Sequence, residues 1–307
     1  MPKFANKIAI VVPTKDRPKD IRCMLTSVAN QSCLPDQLIV VDGGDNIVED
    51  VIKEFPTLNI RYLREYPPSL ARQRNVGMAA LDPSMTLAGY LDDDIVLEPG
   101  ALEAMLAFWE KADPDVGGAR FNITNEPRPK MIWLRSLFLI ESRTQGNVMP
   151  SGFQASIGTV ADTLRVRWLS GGATVWKRQV IDEFDYDEWF DGTGYLEDLD
   201  YSYKVGQKYK FVVAAEARVQ HFSYPVRKDR NYLLGKWQAI NRMYFVKKHQ
   251  NFSIPLYYWS MLGEFLFNVI GSILQRDSGR LRRAWGNVVG LSYVAQGKVE
   301  RLGGIFK

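Results

Sequence analysis

Asp92, Asp93 and Asp94 are consecutive, follow the apolar run Leu87 to Leu91 and are closed off by Ile95-Val96-Leu97. Three adjacent carboxylates repel one another and need a cation. Hard oxygen donors at a strand end suit Mg²⁺ or Mn²⁺, and Mg²⁺ is commonly held by one or two carboxylates together with substrate phosphates. The triplet therefore points to a phosphate-bearing ligand, against the blander reading of a solvated acidic turn. A second acidic group stands in "GYLEDLDYSYKV", where Glu197, Asp198 and Asp200 open a predicted helix. One of them could act as a general base, because a carboxylate in a partly desolvated cleft is moved upward in pKa. The same acids also suit the first turn of any helix, where the dipole favours negative charge. Gly171 and Gly172, in "WLSGGA", leave backbone N–H groups free to approach a sugar or phosphate closely. His221, one of two histidines, is either structural or an imidazole ligand completing a carboxylate and phosphate shell.

The elements that must position these groups follow from hydrophobic pattern. Ile8 to Val12 is a continuous apolar, β-branched run that reads as a buried strand, followed by Pro13-Thr14-Lys15-Asp16-Arg17-Pro18. Ile21, Met24, Leu25 and Val28 define one face of a helix starting near Pro18, and Gln37 to Val41 is a second strand ending at Asp42-Gly43-Gly44-Asp45. Strand, helix and strand in so short a stretch make a parallel βαβ unit. Helices from about Asn46 to Phe55 and Leu70 to Leu81 and strands at Ile60 to Leu63 and Leu87 to Leu91 continue the pattern. In an open parallel sheet the ligand crevice lies outside the carboxyl ends of the strands, so Asp16, Asp42, Asp45 and Asp92 to Asp94 are expected on one rim. A helix over Ala101 to Lys111 and a strand near Gly117 to Phe121 come next. Residues 122 to 165 read as irregular, a long functional loop or lid. Phe211 to Val213 and Ala217 to Gln220 are strand-like pieces before His221.

Composition is that of a globular chain, 307 residues with 46% hydrophobic and 24% charged. Met1 to Lys7 runs straight into Ile8 to Val12, too short for a signal-peptide core, and Cys23 and Cys33 show no metal spacing, so a cytoplasmic protein is expected. The net charge of +4 is unevenly spread: residues 227 to 307 carry 14 Lys and Arg against 4 Asp and Glu, leaving the body acidic. Residues 254 to 274 are nearly long enough to span a bilayer, but Ser260, Glu264, Asn268 and Ser272 draw one polar stripe. That stripe fits either an interfacial helix with Arg276, Arg280, Arg282 and Arg283 near anionic headgroups or helices packed on the catalytic body.

In order along the chain, "IAIVVPTKDRP", "LIVVDGGD", "ARQRNVGMAAL", "YLDDDIVLEPGAL", "WLSGGATVWKR" and "GYLEDLDYSYKV" resemble the family 2 glycosyltransferases. The resemblance implies an α/β fold of GT-A type, a mainly parallel sheet flanked by helices with a Rossmann-like nucleotide-binding half. The expected domains are 1–225, catalytic, and 226–307, a C-terminal basic and aromatic helical appendage. It implies an inverting, metal-dependent hexosyltransferase that moves a sugar from a nucleoside-diphosphate sugar to a hydroxyl acceptor in polysaccharide or lipid-linked glycan synthesis. By the same resemblance Pro13, Thr14, Asp16 and Asp42 line the nucleoside pocket with Arg72 or Arg74 nearby, Asp92 and Asp94 form the metal and ribose-phosphate motif with Asp93 on the nucleotide-sugar, Asp198 is the catalytic base beside Glu197, and His221 is a ligand of Mn²⁺ or Mg²⁺. The expected partners are the donor, a carbohydrate or lipid-linked acceptor and the inner face of the cell membrane through residues 254–285, with no nucleic acid. This chain departs from the family pattern in having Lys15-Asp16 where many relatives have Tyr-Asn or Arg-Asn, and Lys204 where an Arg is usual. Two other functions compete. A nucleotidyltransferase would place a glycine-rich, basic loop after the first strand, where Pro13 to Pro18 has no glycine. A basic nucleic-acid module would need exposed stacking aromatics, and the tail carries no RNA-binding signature.

Overall fold

A computed structural model of the chain describes residues 4–45, 47–190, 194–223 and 227–299. The expected helix start at Asn46 and the expected domain boundary at 225/226 lie outside the described residues. Internal contacts divide the chain into two units, Met1–Pro127 with Gly158–Ser223, and Arg128–Ile157 with Tyr224–Lys307.

The first unit runs β1 (Ile8–Thr14), α1 (Pro18–Ala29), β2 (Gln37–Asp42), α2 (Ile47–Ile52), β3 (Ile60–Arg64), α3 (Leu70–Ala79), β4 (Leu87–Leu91), β5 (Ile95–Leu97), α4 (Ala101–Trp109) and β6 (Val116–Ile123). The chain passes through α5 (Ile132–Leu137) of the second unit and resumes as β7 (Leu164–Val166), β8 (Ala173–Lys177), α6 (Arg178–Glu183), α7 (Glu197–Val205) and β9 (Lys210–His221). The sheet order is β3-β2-β1-β4-β8-β6-β9-β5, with β7 also on β9. β3, β2, β1 and β4 are all parallel, whereas β8 joins β4 antiparallel. Every residue of β1 is buried, as a strand covered on both faces requires. Ile21, Met24, Leu25 and Val28 of α1 face the core, the stripe expected from their spacing. The two strand-like pieces before His221 are one strand: β9 pairs with β6 on either side of a register shift, which accounts for the break in the apolar pattern.

Helix α3 is held less by an apolar stripe than by close approach and polar anchoring. Gln73 donates to Thr14 O at 2.9 Å and Val41 O at 2.8 Å, satisfying carbonyls at the ends of β1 and β2. Gly77 lies directly over Val11, where an added Cβ would run into the valine methyl groups.

The second unit contains α5, α8 (Asn231–Lys248), α9 (Ile254–Gln275) and α10 (Ser278–Ala295). Ser253 accepts from Leu256 N–H and Asp277 from Gly279 N–H, capping α9 and α10. The polar stripe of α9 turns inward: Ser260 and Asn268 are buried, Ser260 donating to Phe138 O at 2.6 Å and Asn268 to Asn287 Oδ1 at 3.1 Å. Part of the stretch expected to be a loop is ordered here. Trp259 Nε1 donates to Leu137 O at 2.8 Å, and Arg242 donates to Gly152 O at 2.6 Å while stacking over Phe153.

Gly77→Ala is expected to destabilise the chain by about 1–3 kcal/mol through overpacking. Measured by denaturant titration, its cost should be smaller in a Val11→Ala background, since the two changes share one contact; equal costs in both backgrounds would refute the close-approach account.

Candidate active site

Parallel register brings the acidic loops to one edge. Thr14 lies opposite Asp42, and Val11 opposite Tyr90, so the segments after β1, β2 and β4 leave the sheet side by side. Asp16 adopts φ 53°, a left-handed conformation that Asp tolerates better than most residues, and its carboxylate accepts from Asp45 N–H at 2.9 Å. Pro13 sits within the β1–β2 ladder opposite Val41. Asp42 is fully buried and accepts from Gly44 N–H and Tyr62 O–H, each at 2.8 Å, with Arg64 at 3.6 Å.

The triplet is neutralised from within the protein. Thr14 Oγ1 donates to Asp93 at 2.7 Å, and Arg17 Nη1 bridges Asp93 at 2.9 Å and Asp94 at 3.1 Å. β5–β9 pairing sets Ile95 opposite His221, placing His221 Nε2 at 3.2 Å from Asp94 Oδ1. Burial pushes Asp93 up to about 6 against the pull of Arg17 and Thr14. Asp94 is held below the usual range because His221 and Arg17 outweigh its burial, and the facing Asp94 carboxylate raises His221. Beside Asp94, on the α1 side, lies a cavity of about 740 Å³ lined by Cys23, Ser27, Gln31, Leu97 and Phe222.

Asp92 faces another cation. Arg74, 1% exposed, donates through Nη2 to Asp92 at 3.2 Å and through Nη1 to Glu197 at 3.0 Å, and lies 5.2 Å from the Tyr186 ring centroid. Asp198, next along α7, accepts from Gly171 N–H at 3.1 Å and Leu199 N–H at 2.7 Å. Both glycines face the protein's own groups: a Cβ on Gly171 would meet Arg74 at 2.5 Å, and one on Gly172 would meet Asp92 Oδ2 at 2.6 Å. Burial pushes Glu197 up to about 7, partly opposed by Arg74, and raises Asp198 as well. The alternatives Arg72 and Arg74 thus separate, for Arg72 turns to Pro67 O at 2.6 Å and Glu65 at 3.2 Å.

Asp92, Arg74, Glu197, Asp198, Gly171 and Gly172 therefore form one cluster, and Thr14, Arg17, Asp93, Asp94 and His221 another, adjoining it along the Asp92-Asp93-Asp94 backbone. Of the expected metal ligands, Asp94 and His221 face one another while Asp92 turns to Arg74; among the described residues no three His, Cys, Asp or Glu side chains gather as a metal-binding group. Sequence reasoning missed Arg17 and Tyr186. Arg17 had a signal, since three adjacent aspartates need a cation and Arg17 follows the first strand; Tyr186 had none, because its stacking on Arg74 is a tertiary contact.

Arg74→Gln leaves the buried Glu197 carboxylate and the half-buried Asp92 without their cation and should cost about 3–5 kcal/mol at neutral pH. A carboxyl whose folded pKa lies above its unfolded value binds its proton more tightly when folded, so stability falls as pH rises through that interval. The penalty should therefore shrink as the pH of the denaturant titration is lowered from 7.5 to about 5; a pH-independent penalty would argue for a packing defect instead.

Residues 9–160 match the model of "Glycosyl transferase family 2". A 97-residue stretch is 32% identical to the chondroitin synthase of Escherichia coli, spanning 30% of this chain and 14% of that protein. Among solved structures, S. aureus TarS superposes with a TM-score of 0.54 at 12% identity over 91% of this chain and 55% of that one. A TarS structure of residues 1–349 gives a TM-score of 0.53 at 13% identity over 95% and 92%. These two support the fold alone. The acidic strand ends, the sheet that gathers them and the match over residues 9–160 together identify the chain as a family 2 glycosyltransferase with a GT-A-like fold.

Proposed function

We propose that this chain transfers a sugar from a nucleoside-diphosphate sugar to a hydroxyl acceptor with inversion, acting in polysaccharide or lipid-linked glycan synthesis. The observation that carries the reading is the bridge made by Arg74, which ties Asp92 of the donor-side triplet to Glu197, the neighbour of Asp198. Asp198 then takes the proton of the acceptor hydroxyl, the acceptor oxygen bonds to the anomeric carbon, and the bond from that carbon to the diphosphate oxygen breaks with its electron pair leaving on the diphosphate. A raised Asp198 is suited to that role, because a stronger base at neutral pH needs less driving force from the hydroxyl. Hydrogen bonds from Gly171 and Leu199 fix both its oxygens. Glu197, engaged with Arg74, orients the cluster.

Pro13, Thr14, Asp16 and Asp42 are assigned to the nucleoside, with Arg72 at the periphery. Asp94 and His221 would hold Mn²⁺ or Mg²⁺: an oxygen and an imidazole already face each other, and donor phosphates commonly complete such a shell. When bound, the ion would neutralise the leaving diphosphate. Arg17 lies against Asp93 and Asp94 and would serve the diphosphate as a second cation. A nucleotide-sugar donor and a glycan acceptor follow from family membership; a lipid-linked acceptor and a site of action at the cytoplasmic membrane face are part of the proposal.

Incubation with a panel of nucleotide-sugars, read as released nucleoside diphosphate, tests the class of reaction; release from none of them, with and without acceptors, would overturn it. Asp198→Asn should lower transfer by about 10²–10⁴-fold while leaving donor affinity within a few-fold. Because the base must be deprotonated and burial raises its pKa, kcat/KM should fall on acidification at a pH above the ordinary carboxylate range near 4. Asp94→Ala should remove the Mn²⁺ dependence of donor binding in calorimetry, and unchanged metal dependence would exclude Asp94 as a ligand.

A further inference from the structure

Helices in water normally bury their large apolar side chains and expose polar ones. In α9 and α10 much of this polarity is inverted. On α10 the buried positions include Gly279, Ala284, Gly286, Asn287 and Gly290, while Leu281, Trp285 and Val288 are exposed. On α9, Ser260, Gly263, Asn268 and Gly271 are buried, while Ile270, Ile273 and Leu274 are exposed. The exposures are large, 72% for Ile273, 77% for Leu274, 56% for Leu281 and 62% for Trp285.

The inward faces explain how such a pair holds together. A Cβ on Gly235 would collide with Arg283 O, and one on Gly286 with Tyr232 O, so α8 and α10 meet nearly backbone to backbone. Asn287 donates to Gly235 O and Gln238 Oε1, each at 3.0 Å, and accepts from Asn268. Small residues and amide hydrogen bonds at helix contacts are how helices associate when their outer faces meet lipid. No described helix is long and apolar enough to cross a membrane, so the apolar faces have a lipid surface as their fitting environment and not a span.

We propose that the corner where α9 turns into α10 docks peripherally into an anionic bilayer surface. Arg276 and Arg282 are exposed in that corner, interleaved with Leu274, Leu281 and Trp285, while Arg280 is half-buried 3.7 Å from Asp277, the one acid of the corner, and Arg283 turns inward to donate to Asn231. Cations among exposed apolar side chains match anionic headgroups above acyl chains. They also disfavour a second copy of the chain. A two-fold interface sets a patch against itself, which would bring arginines against arginines. The inference does not depend on the transferase chemistry.

Flotation of the full chain with phosphatidylglycerol-containing vesicles and with pure phosphatidylcholine vesicles tests it. The chain should float with the anionic vesicles and lose most of that binding at high salt. Arg276→Gln with Arg282→Gln should weaken partitioning roughly 30-fold, at about tenfold for each 1.4 kcal/mol. Leu274→Ser with Trp285→Ser should abolish it, with melting behaviour and nucleoside diphosphate release in solution unchanged. Three results would overturn the proposal: no flotation with anionic vesicles, equal flotation with both vesicle types, or oligomers in light scattering that the apolar double variant disperses while flotation is absent. The last would assign the face to contacts between copies.

Discussion

A buried guanidinium facing carboxylates from two distant parts of the chain is the interaction on which the first unit depends. A charge shut away from water is tolerated only when its partners are close and well aligned. Arg74 meets that condition with Asp92 and Glu197, which lie 18 and 123 residues away in sequence, and with the face of Tyr186. Burial works against its charge, and the surrounding tyrosine and acids hold it protonated nonetheless. Arg17 does the corresponding work for Asp93 and Asp94. Four carboxylates can therefore crowd one sheet edge because two arginines stand among them.

That balance sets the chemistry available. Pairing Glu197 with Arg74 leaves Asp198 held by the backbone N–H groups of Gly171 and Leu199, and burial raises its pKa against the pull of Arg74. The two glycines before β8 contribute by having no side chain. Larger residues would displace Arg74 or Asp92, so the "SGG" run reflects the space those groups occupy as much as any ligand's approach.

The second unit follows a different rule. Its helices meet through glycine, serine and asparagine and leave leucine, isoleucine and tryptophan outside. Seen only as composition, the same residues make a basic, aromatic tail; their placement is what leaves large apolar side chains on the outer faces of α9 and α10.

The parallel strands, the crossover helices and the rim of acids were legible from the chain alone, because a buried parallel strand must be continuously apolar and its ligands must follow its carboxyl end. Ile8 to Val12, Gln37 to Val41 and Leu87 to Leu91 carry that pattern plainly, and the ordered motifs around them pointed to the family. Other features have no local signature. The pairing of Arg74 with Glu197, the choice between Arg72 and Arg74, the inward turn of Ser260 and Asn268, and the ordering of residues near 137 and 152 all rest on contacts between segments far apart in sequence. Periodicity tells which side chains share a face, but only the folded chain decides whether that face looks inward or out, because burial is a property of what lies opposite.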